Sequence, residues 1–255
     1  MAVTLKSPAE IARMREAGRV VAEVLALVES ELRPGITTAH LDALAEAHIR
    51  RSGAIPSFKG YPGVNPRRPF PASLCVSIDD EIVHGIPGDR VIREGQLVSI
   101  DAGAIVDGWH GDAARTFYIG TPPESIRRLI ETTRLAMMAG IAAAVPGGHI
   151  EDISAAVEDV AAPAGYGIVR QFVGHGIGRA MHEEPQVPNY RLGRKGRRLE
   201  PGLCLAIEPM LTLGGHDTRI LDDDWTIVTR DGTLAAHFEH SIAITETGPE
   251  ILTTI

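Results

Sequence analysis

Residues 96–120, QLVSIDAGAIVDGWHGDAARTFYIG, constrain the fold more than any other stretch. Positions 97–100 and 116–119 are rich in β-branched and aromatic residues, and Asp107 and Gly108 between them suit a two-residue type I′ turn, whose central residues both take positive φ. A turn centred there pairs residue 101 with 114 and 103 with 112, so Asp101 and Asp112 share one face as diagonal neighbours, about 7–8 Å apart at the backbone. Aspartate is depleted in strands. Two uncompensated carboxylates so placed repel and push one pKa up. Positive charge belongs between them, unless Asp101 only ends a strand and Asp112 belongs to a polar loop.

The helical parts of the chain use one pattern twice. Ser7, Pro8 and Glu10 have the features of a helix start. Ile11, Met14, Gly18, Val21, Leu25 and Val28 then recur at three- and four-residue steps, which predicts an amphipathic helix to about Glu31. Beyond Pro34 and Gly35 a second helix is predicted over 38–51, with Leu41, Leu44, Ala45 and Ile49 (or His48) inward, closed by Gly53. His40 and His48 on it have no acidic or cysteine partner in register and read as packed or surface histidines. RPGITTAHLDALAEAHIRRSG matches VPGGHIEDISAAVEDVAAPAG at a constant offset of 112: Pro34 with Pro146, Gly35 with Gly147, Leu41 with Ile153, Glu46 with Glu158, Gly53 with Gly165. The helix preceding the second copy opens at Thr121, Pro122, Pro123 and Glu124 and carries Ile126, Leu129, Ile130, Thr133, Met137 and Ile141 on one side.

These matches predict an internal repeat, about 7–120 and 121–255, within a single domain spanning 1–255. The expected fold class is α+β: two similar halves about a pseudo-two-fold axis, antiparallel strands in a shared central sheet, helices on one face. A site is expected at the interface of the halves. Residues 57–68 form a Gly- and Pro-rich loop. Further strands are predicted at 74–78, 167–173, 203–211 and 237–245, with a hairpin-like 223–229 between the last two.

A net charge of −8 argues against a dedicated nucleic-acid binder. No apolar run reaches the ~18 residues of a membrane helix, and the opening MAVTLKSPAE lacks the pattern of a secretory signal, so a cytoplasmic location is expected. Cys75 and Cys204 are expected as free thiols.

The chemistry-bearing residues set in strand-like surroundings are His84, Asp101, Asp112, His175, His182, Glu208 and Glu239. Glu208 in CLAIEPML and Glu239 in AHFEHSIAI are costly to bury unless cations or charged partners surround them. Four carboxylates and one imidazole balance two divalent ions, with manganese, iron, cobalt or zinc favoured over calcium. Two such ions activate a water and clamp a carbonyl, which implies metal-assisted hydrolysis. Other motifs fail: HEEP follows GHGIG where a phosphate-binding helix would begin, Gln186 breaks a zincin pattern, and neither GxSxG nor a Walker sequence occurs. Arg191, Arg194, Lys195, Arg197 and Arg198 make a basic loop without aromatics: a solvated loop, or in a minority reading a contact to ribosomal RNA.

CVSIDDEIVHGIPG, LVSIDAGAIVDGWHGDAARTF, GHGIGRAMHEEPQVPNY, AIEPM and FEHSIAIT resemble, in order and over essentially the whole length, the signature segments of the type I methionine aminopeptidases of the short bacterial kind. The resemblance implies the pseudo-two-fold "pita-bread" fold and removal of N-terminal methionine from nascent polypeptides with a small second residue. It implies Asp101, Asp112, His175, Glu208 and Glu239 as ligands of two metal ions, with Asp112 and Glu239 bridging. His84 falls beside the scissile bond, His182 on the substrate carbonyl and the oxyanion that forms from it, and Glu208 as proton shuttle. Phe58, Tyr61, Phe70, Cys75, Met181 and Trp225 match the methionine pocket, where aromatic and sulfur groups suit a thioether. The family is commonly monomeric. The chain departs from the family pattern by an insertion at 62–69, PGVNPRRP, by Met181 where an aromatic is common, and by Asp79 and Asp80 for a usual Asn-acidic pair. The short spacing from Glu208 to Glu239 leaves no room for the type II helical insert. Two alternatives remain at this level: a proline-specific aminopeptidase or prolidase on the same metal scaffold, and a binding protein that kept the fold and lost its metals.

Overall fold

The 96–120 stretch folds as its turn dictates. In the computed structural model, which describes residues 3–63 and 65–255, Asp107 and Gly108 take φ of 50° and 78° and join two ten-residue strands. Asp101 lies opposite Ala114 and Gly103 opposite Asp112. Met1 and Ala2 of the opening segment and Val64 of the 62–69 insertion fall outside the described residues.

Among the described residues the chain begins α1 (Pro8–Glu31), α2 (Thr38–Arg51), β1 (Ile55–Pro56), β2 (Leu74–Ile78), β3 (Glu81–Val83), β4 (Leu97–Val106) and β5 (Trp109–Tyr118). It continues α3 (Glu124–Ala143), α4 (Ile150–Ala161), β6 (Gly167–Ile168), β7 (Gly174–Gly176), β8 (Glu183–Val187), β9 (Cys204–Ile207), β10 (Met210–Thr212), β11 (Thr218–Ile220), β12 (Ile227–Thr229), β13 (Ala235–His237), β14 (Glu239–Thr245) and β15 (Gly248–Ile251). A nine-stranded sheet runs β1-β4-β5-β14-β9-β7-β8, with β2 also on β4 and β15 on β14. Two three-stranded sheets, β13-β10-β6 and β11-β12-β3, flank it.

Ser7 starts α1 with a capping box: the Glu10 N–H donates to Ser7 Oγ, and the Ser7 N–H donates to Glu10 Oε2 at 2.8 Å. The apolar stripe of α1 and the inward face of α2 bury against the alternate residues Val98, Ile100, Ala102 and Ala104 of β4. In the same way α3 covers Leu205, Ile207, Ile242 and Ile244 of β9 and β14. Leu44 is only half-buried. His48 has the acidic partner that its own helix does not supply, since its Nε2 lies 2.9 Å from Glu23 Oε2 of α1. The helices thus occupy one face of the sheet, and period-two alternation sends Asp101 and Asp112 to the other.

Three predicted strands are broken. The 203–211 run divides into β9 and β10 at Glu208 and Pro209, and the 237–245 run divides into β13 and β14 at Phe238. In each case one piece pairs in the nine-stranded sheet and the other in the β13-β10-β6 sheet. Pro209 has no N–H to continue a ladder. The 167–173 run keeps strand structure only at β6, because residues 169–173 turn away and bring the Phe172 ring against His84, centroids 5.7 Å apart. Glu208 and Glu239 therefore stand at the edges of breaks rather than within continuous strands.

Contact between α1 and β5 is backbone to backbone. A Cβ on Gly111 would lie 2.7 Å from Gly18 N, and one on Gly18 only 2.1 Å from the Leu252 carbonyl oxygen. Gly18→Ala is expected to destabilise the protein. Overpacking costs about 1–3 kcal/mol, which exceeds the ~1 kcal/mol that alanine returns as helix propensity. Urea unfolding measures this, and a midpoint equal to that of the parent would contradict it.

Candidate metal centre

Cross-strand rows on the open face of the sheet gather the predicted ligands. Asp101 and Glu239 both pair with Ala114, from either side of β5. Glu208 follows directly after the last β14–β9 pair, His240 with Ile207, and so comes opposite Glu239. In the next same-face row, about 7 Å along the strands, stand Asp112 and, across Ala206, His175. Each group arrives from a different strand of the contiguous set β4, β5, β14, β9 and β7. Between β5 and β14 the ladder ends at His240 with Ala113. There the Ser241 hydroxyl accepts from the Asp112 N–H at 3.0 Å and donates to the Asp112 carbonyl at 2.8 Å. Alanine at 114 and 206 leaves the space into which the longer acidic chains reach.

Ligand atoms of Asp112, His175 and Glu239 lie within 4.8 Å of one another, as do those of Glu208, His237 and Glu239. Asp101 stands outside both triples, beside the Asp112 carboxyl, with which it is near enough to share a hydrogen bond. Burial drives all four carboxyl groups above their usual range. For Asp112 the neighbouring Asp101 charge adds to this, and for Glu239 the Asp112 charge does. Among the described residues, Asp101 Oδ1, Asp112 Oδ1, Glu239 Oε1 and His237 Nε2 are buried with no hydrogen-bond partner. Buried polar atoms are nearly always paired, so these orphans fit a donor set built for cations. His175 suits a cation equally well. Its Nδ1–H donates to the Gly176 carbonyl at 2.9 Å, which leaves Nε2 a lone pair facing inward, 3.4 Å from Glu208 Oε1.

His237 is the member that sequence reasoning missed. Its Nε2 is 3.7 Å from Glu208 Oε2, on the side of that carboxylate away from His175. The available signal was its spacing: His237 and Glu239 are two apart in an extended segment and so share a face.

His182 and His84 flank the carboxylates. The His182 ring lies 4.3 Å from that of His175, and its Nδ1 is in hydrogen-bond contact with Tyr61 Oη at 2.6 Å. His84, at φ +61°, has the edge-to-face rings of Phe172 and Trp225 at 5.7 and 6.2 Å, and burial pushes its pKa down to about 4. Phe58, Tyr61, Phe70, Cys75, Met181 and Trp225 line a cavity of about 110 Å³ whose remaining wall is the carboxylate and histidine set itself. The Cys75 thiol is fully buried and pushed far above the ordinary thiol range by desolvation, so it lines the cavity as a neutral apolar group. A second, more polar cavity of about 320 Å³ opens from the same centre past Gln171, Phe172 and Gln186.

Residues 12–246 match the family model of metallopeptidase family M24. The methionine aminopeptidase of Clostridium acetobutylicum is 48% identical over 252 residues, 98% of each chain. Methionine aminopeptidase 1 of Bacillus subtilis is 46% identical over 253 residues, 99% of this chain and 100% of that one. The crystal structure of a methionine aminopeptidase from Thermotoga maritima superposes with a TM-score of 0.95 at 38% identity, covering 100% of both chains.

The segment that carries His182 is tied down by the N-terminus. Lys6, its side chain 3% exposed, donates to Glu183 Oε2 at 2.6 Å and to the Thr4 carbonyl and hydroxyl. The Ala180 N–H donates to Glu183 Oε1. Burial raises the Glu183 pKa, but the hydrogen bonds from Lys6 and Ala180 outweigh it and hold the carboxyl below its usual range. Lys6→Met is expected to cost about 2–3 kcal/mol, under the ~3–5 kcal/mol of a fully buried pair because Glu183 keeps some solvent and other donors. A carboxyl with a depressed folded pKa stabilises above its unfolded value, ~4.3, and loses that contribution as pH falls through the folded one. The gap between parent and variant should therefore narrow in acid. Denaturant titrations at neutral and acidic pH measure it, and a gap that widened would refute the assignment.

Proposed function

This chain belongs to metallopeptidase family M24, and from that premise we propose that Asp101, Asp112, His175, Glu208 and Glu239 would hold two divalent ions. The protein is a metal-dependent aminopeptidase that removes N-terminal methionine from peptides and nascent proteins, with a preference for a small second residue. The observation that carries this reading is a juxtaposition: the carboxylate cluster forms one wall of the cavity lined by Phe58, Tyr61, Phe70, Cys75, Met181 and Trp225. Aromatic edges and sulfur suit a thioether side chain. A free α-amino group would add a ligand to a bound ion, which an internal amide nitrogen cannot do, and this explains exopeptidase action.

When bound, the ions polarise the first peptide carbonyl and acidify a water so that it can act near neutral pH. Manganese, iron, cobalt and zinc all suit the donor set. His182, its Nδ1 hydrogen-bonded to the Tyr61 hydroxyl, turns Nε2 toward the carbonyl oxygen and donates a hydrogen bond to it as negative charge develops there. Glu208, placed between His175 and His237, accepts the proton of the attacking water and delivers it to the leaving amine. The neutral His84 ring, held against Phe172 and Trp225, lies beside the bond that breaks.

We read 1–255 as one catalytic domain in which 7–120 and 121–255 repeat a helix, Pro-Gly, helix, Gly, strands pattern. Similar joints support this: Gly35 and Gly147 take φ of 91° and 89°, and Gly53 and Gly165 take 73° and 80°. The protein works as a cytoplasmic monomer, with no membrane and no specific nucleic-acid partner. Among the described residues no helix is long and apolar enough to cross a membrane. A transient ribosome contact is assigned to the 191–198 loop. Arg191 and Arg197 are committed to Glu158, Asp159 and Glu200, so the contact falls to Arg194, Lys195 and Arg198.

Chelator-treated protein should lose Met-Ala-Ser hydrolysis and regain it with one or more of manganese, iron, cobalt and zinc, while Ala-Pro-Ala stays uncleaved. Failure to release methionine with every ion would defeat the assignment, and preferential cleavage of Ala-Pro-Ala would make the protein a proline-specific enzyme. His182→Ala is expected to lower kcat by about 10²–10³-fold. Calorimetry provides a readout independent of turnover. Ion at about a hundredfold above its Kd should stabilise the parent by about 2.7 kcal/mol, and Asp112→Asn or Glu239→Gln should remove most of that gain.

A further inference from the structure

The described residues of the 62–69 insertion reach the wall of the cavity. Asn65 Nδ2 donates to Asp224 Oδ2 at 3.1 Å, and the Arg68 guanidinium donates to the Asp222 carbonyl at 3.1 Å and to Asp224 Oδ2 at 3.3 Å. In return the Trp225 indole N–H donates to the Arg68 carbonyl at 2.9 Å. Gly63 lies so close to the indole that a Cβ there would be 2.5 Å from Trp225 Cζ2. On the inner side, Asp223 accepts from the N–H groups of Trp225 and Thr226. The indole is thus held from two directions, edge-on to Phe70 at 5.1 Å and to His84 at 6.2 Å, where it closes the cavity.

The side chains of Arg68 and Asp224 are 59% and 39% exposed. An ion pair so exposed adds little to stability. What several bonds converging on one short turn supply is position. An unbranched thioether fits a narrow slot between rings, whereas a γ-branched chain needs the wall to yield.

We infer that Asn65, Arg68 and Asp224 form a clasp that fixes Trp225 and so sets the selectivity of the cavity for peptides whose first side chain is unbranched. They are positioning residues, acting through Trp225 alone. The inference rests on the reading of this cavity as the methionine pocket.

The test is the Asn65→Ala/Arg68→Ala double variant, reconstituted with the ion that best activates the parent and assayed on Met-Ala-Ser and Leu-Ala-Ser. The ratio of kcat/KM for leucine over methionine should rise about tenfold, through a higher KM for the methionine peptide at nearly unchanged kcat. Asp224→Asn, which keeps a residue type that tolerates the φ of +69° at that position, should shift the ratio the same way to a smaller extent. Acrylamide quenching is read alongside. Of the two tryptophans Trp109 is buried, so a rise in quenching reports Trp225. A ratio unchanged in both variants, while each unfolds in urea like the parent, overturns the clasp. If the parent itself releases no methionine, the pocket assignment fails instead. Quenching of the metal-free protein then decides the clasp alone, and an unchanged signal overturns it.

Discussion

Desolvating four carboxylates on one face of one sheet is the constraint around which the molecule is built. Removed from water, such groups repel and take up protons unless cations stand among them. The burial that raises the pKa values of Asp101, Asp112, Glu208 and Glu239 is the same burial that makes positive charge among them favourable. Nothing in a continuous sheet would tolerate Glu208 and Glu239 side by side. The structure accommodates them by ending β9 and starting β14 there, and by handing the chain to the small β13-β10-β6 sheet. The helices have no part in the chemistry. They cover the opposite face, where Val98, Ile100, Leu205 and Ile242 supply the apolar burial that offsets the cost of the polar face.

A second level of organisation concerns protons and rings. His175 donates one nitrogen to a backbone carbonyl and keeps the other as a lone pair, while His182 shares a hydrogen bond between Nδ1 and the Tyr61 hydroxyl. The two imidazole rings stand 4.3 Å apart. The Tyr61 side chain does two things at once, since it also lines the apolar cavity. The cavity wall and the His182 ring are thus joined through a single phenol.

The 96–120 hairpin was legible because its register is set locally: Asp107 and Gly108 fix the turn, and the turn fixes which residues face each other. The helix boundaries were legible for the same reason, through the Ser7 cap and the glycines after Pro34 and Pro146. The breaks in 167–173, 203–211 and 237–245 are invisible locally because β-propensity is blind to which sheet a strand joins. The partner of His237, Glu208, is distant in sequence, and the acid facing His48, Glu23, lies on another helix, so neither pairing shows in a local pattern. The clasp on Trp225 joins an insertion near residue 65 to a turn near residue 224, a pairing that no local pattern encodes.

By itself the sequence determined the period of each element, the face on which each acid lies, and the donor types that converge, because those follow from short-range sterics and from the cost of burying charge. The tertiary structure alone decided which strands stand next to one another, where two of them change sheets, which nitrogen of His175 is free, and how the indole closes the cavity. These depend on contacts between residues far apart in the chain, and such contacts take definite geometry only when the whole sheet is assembled.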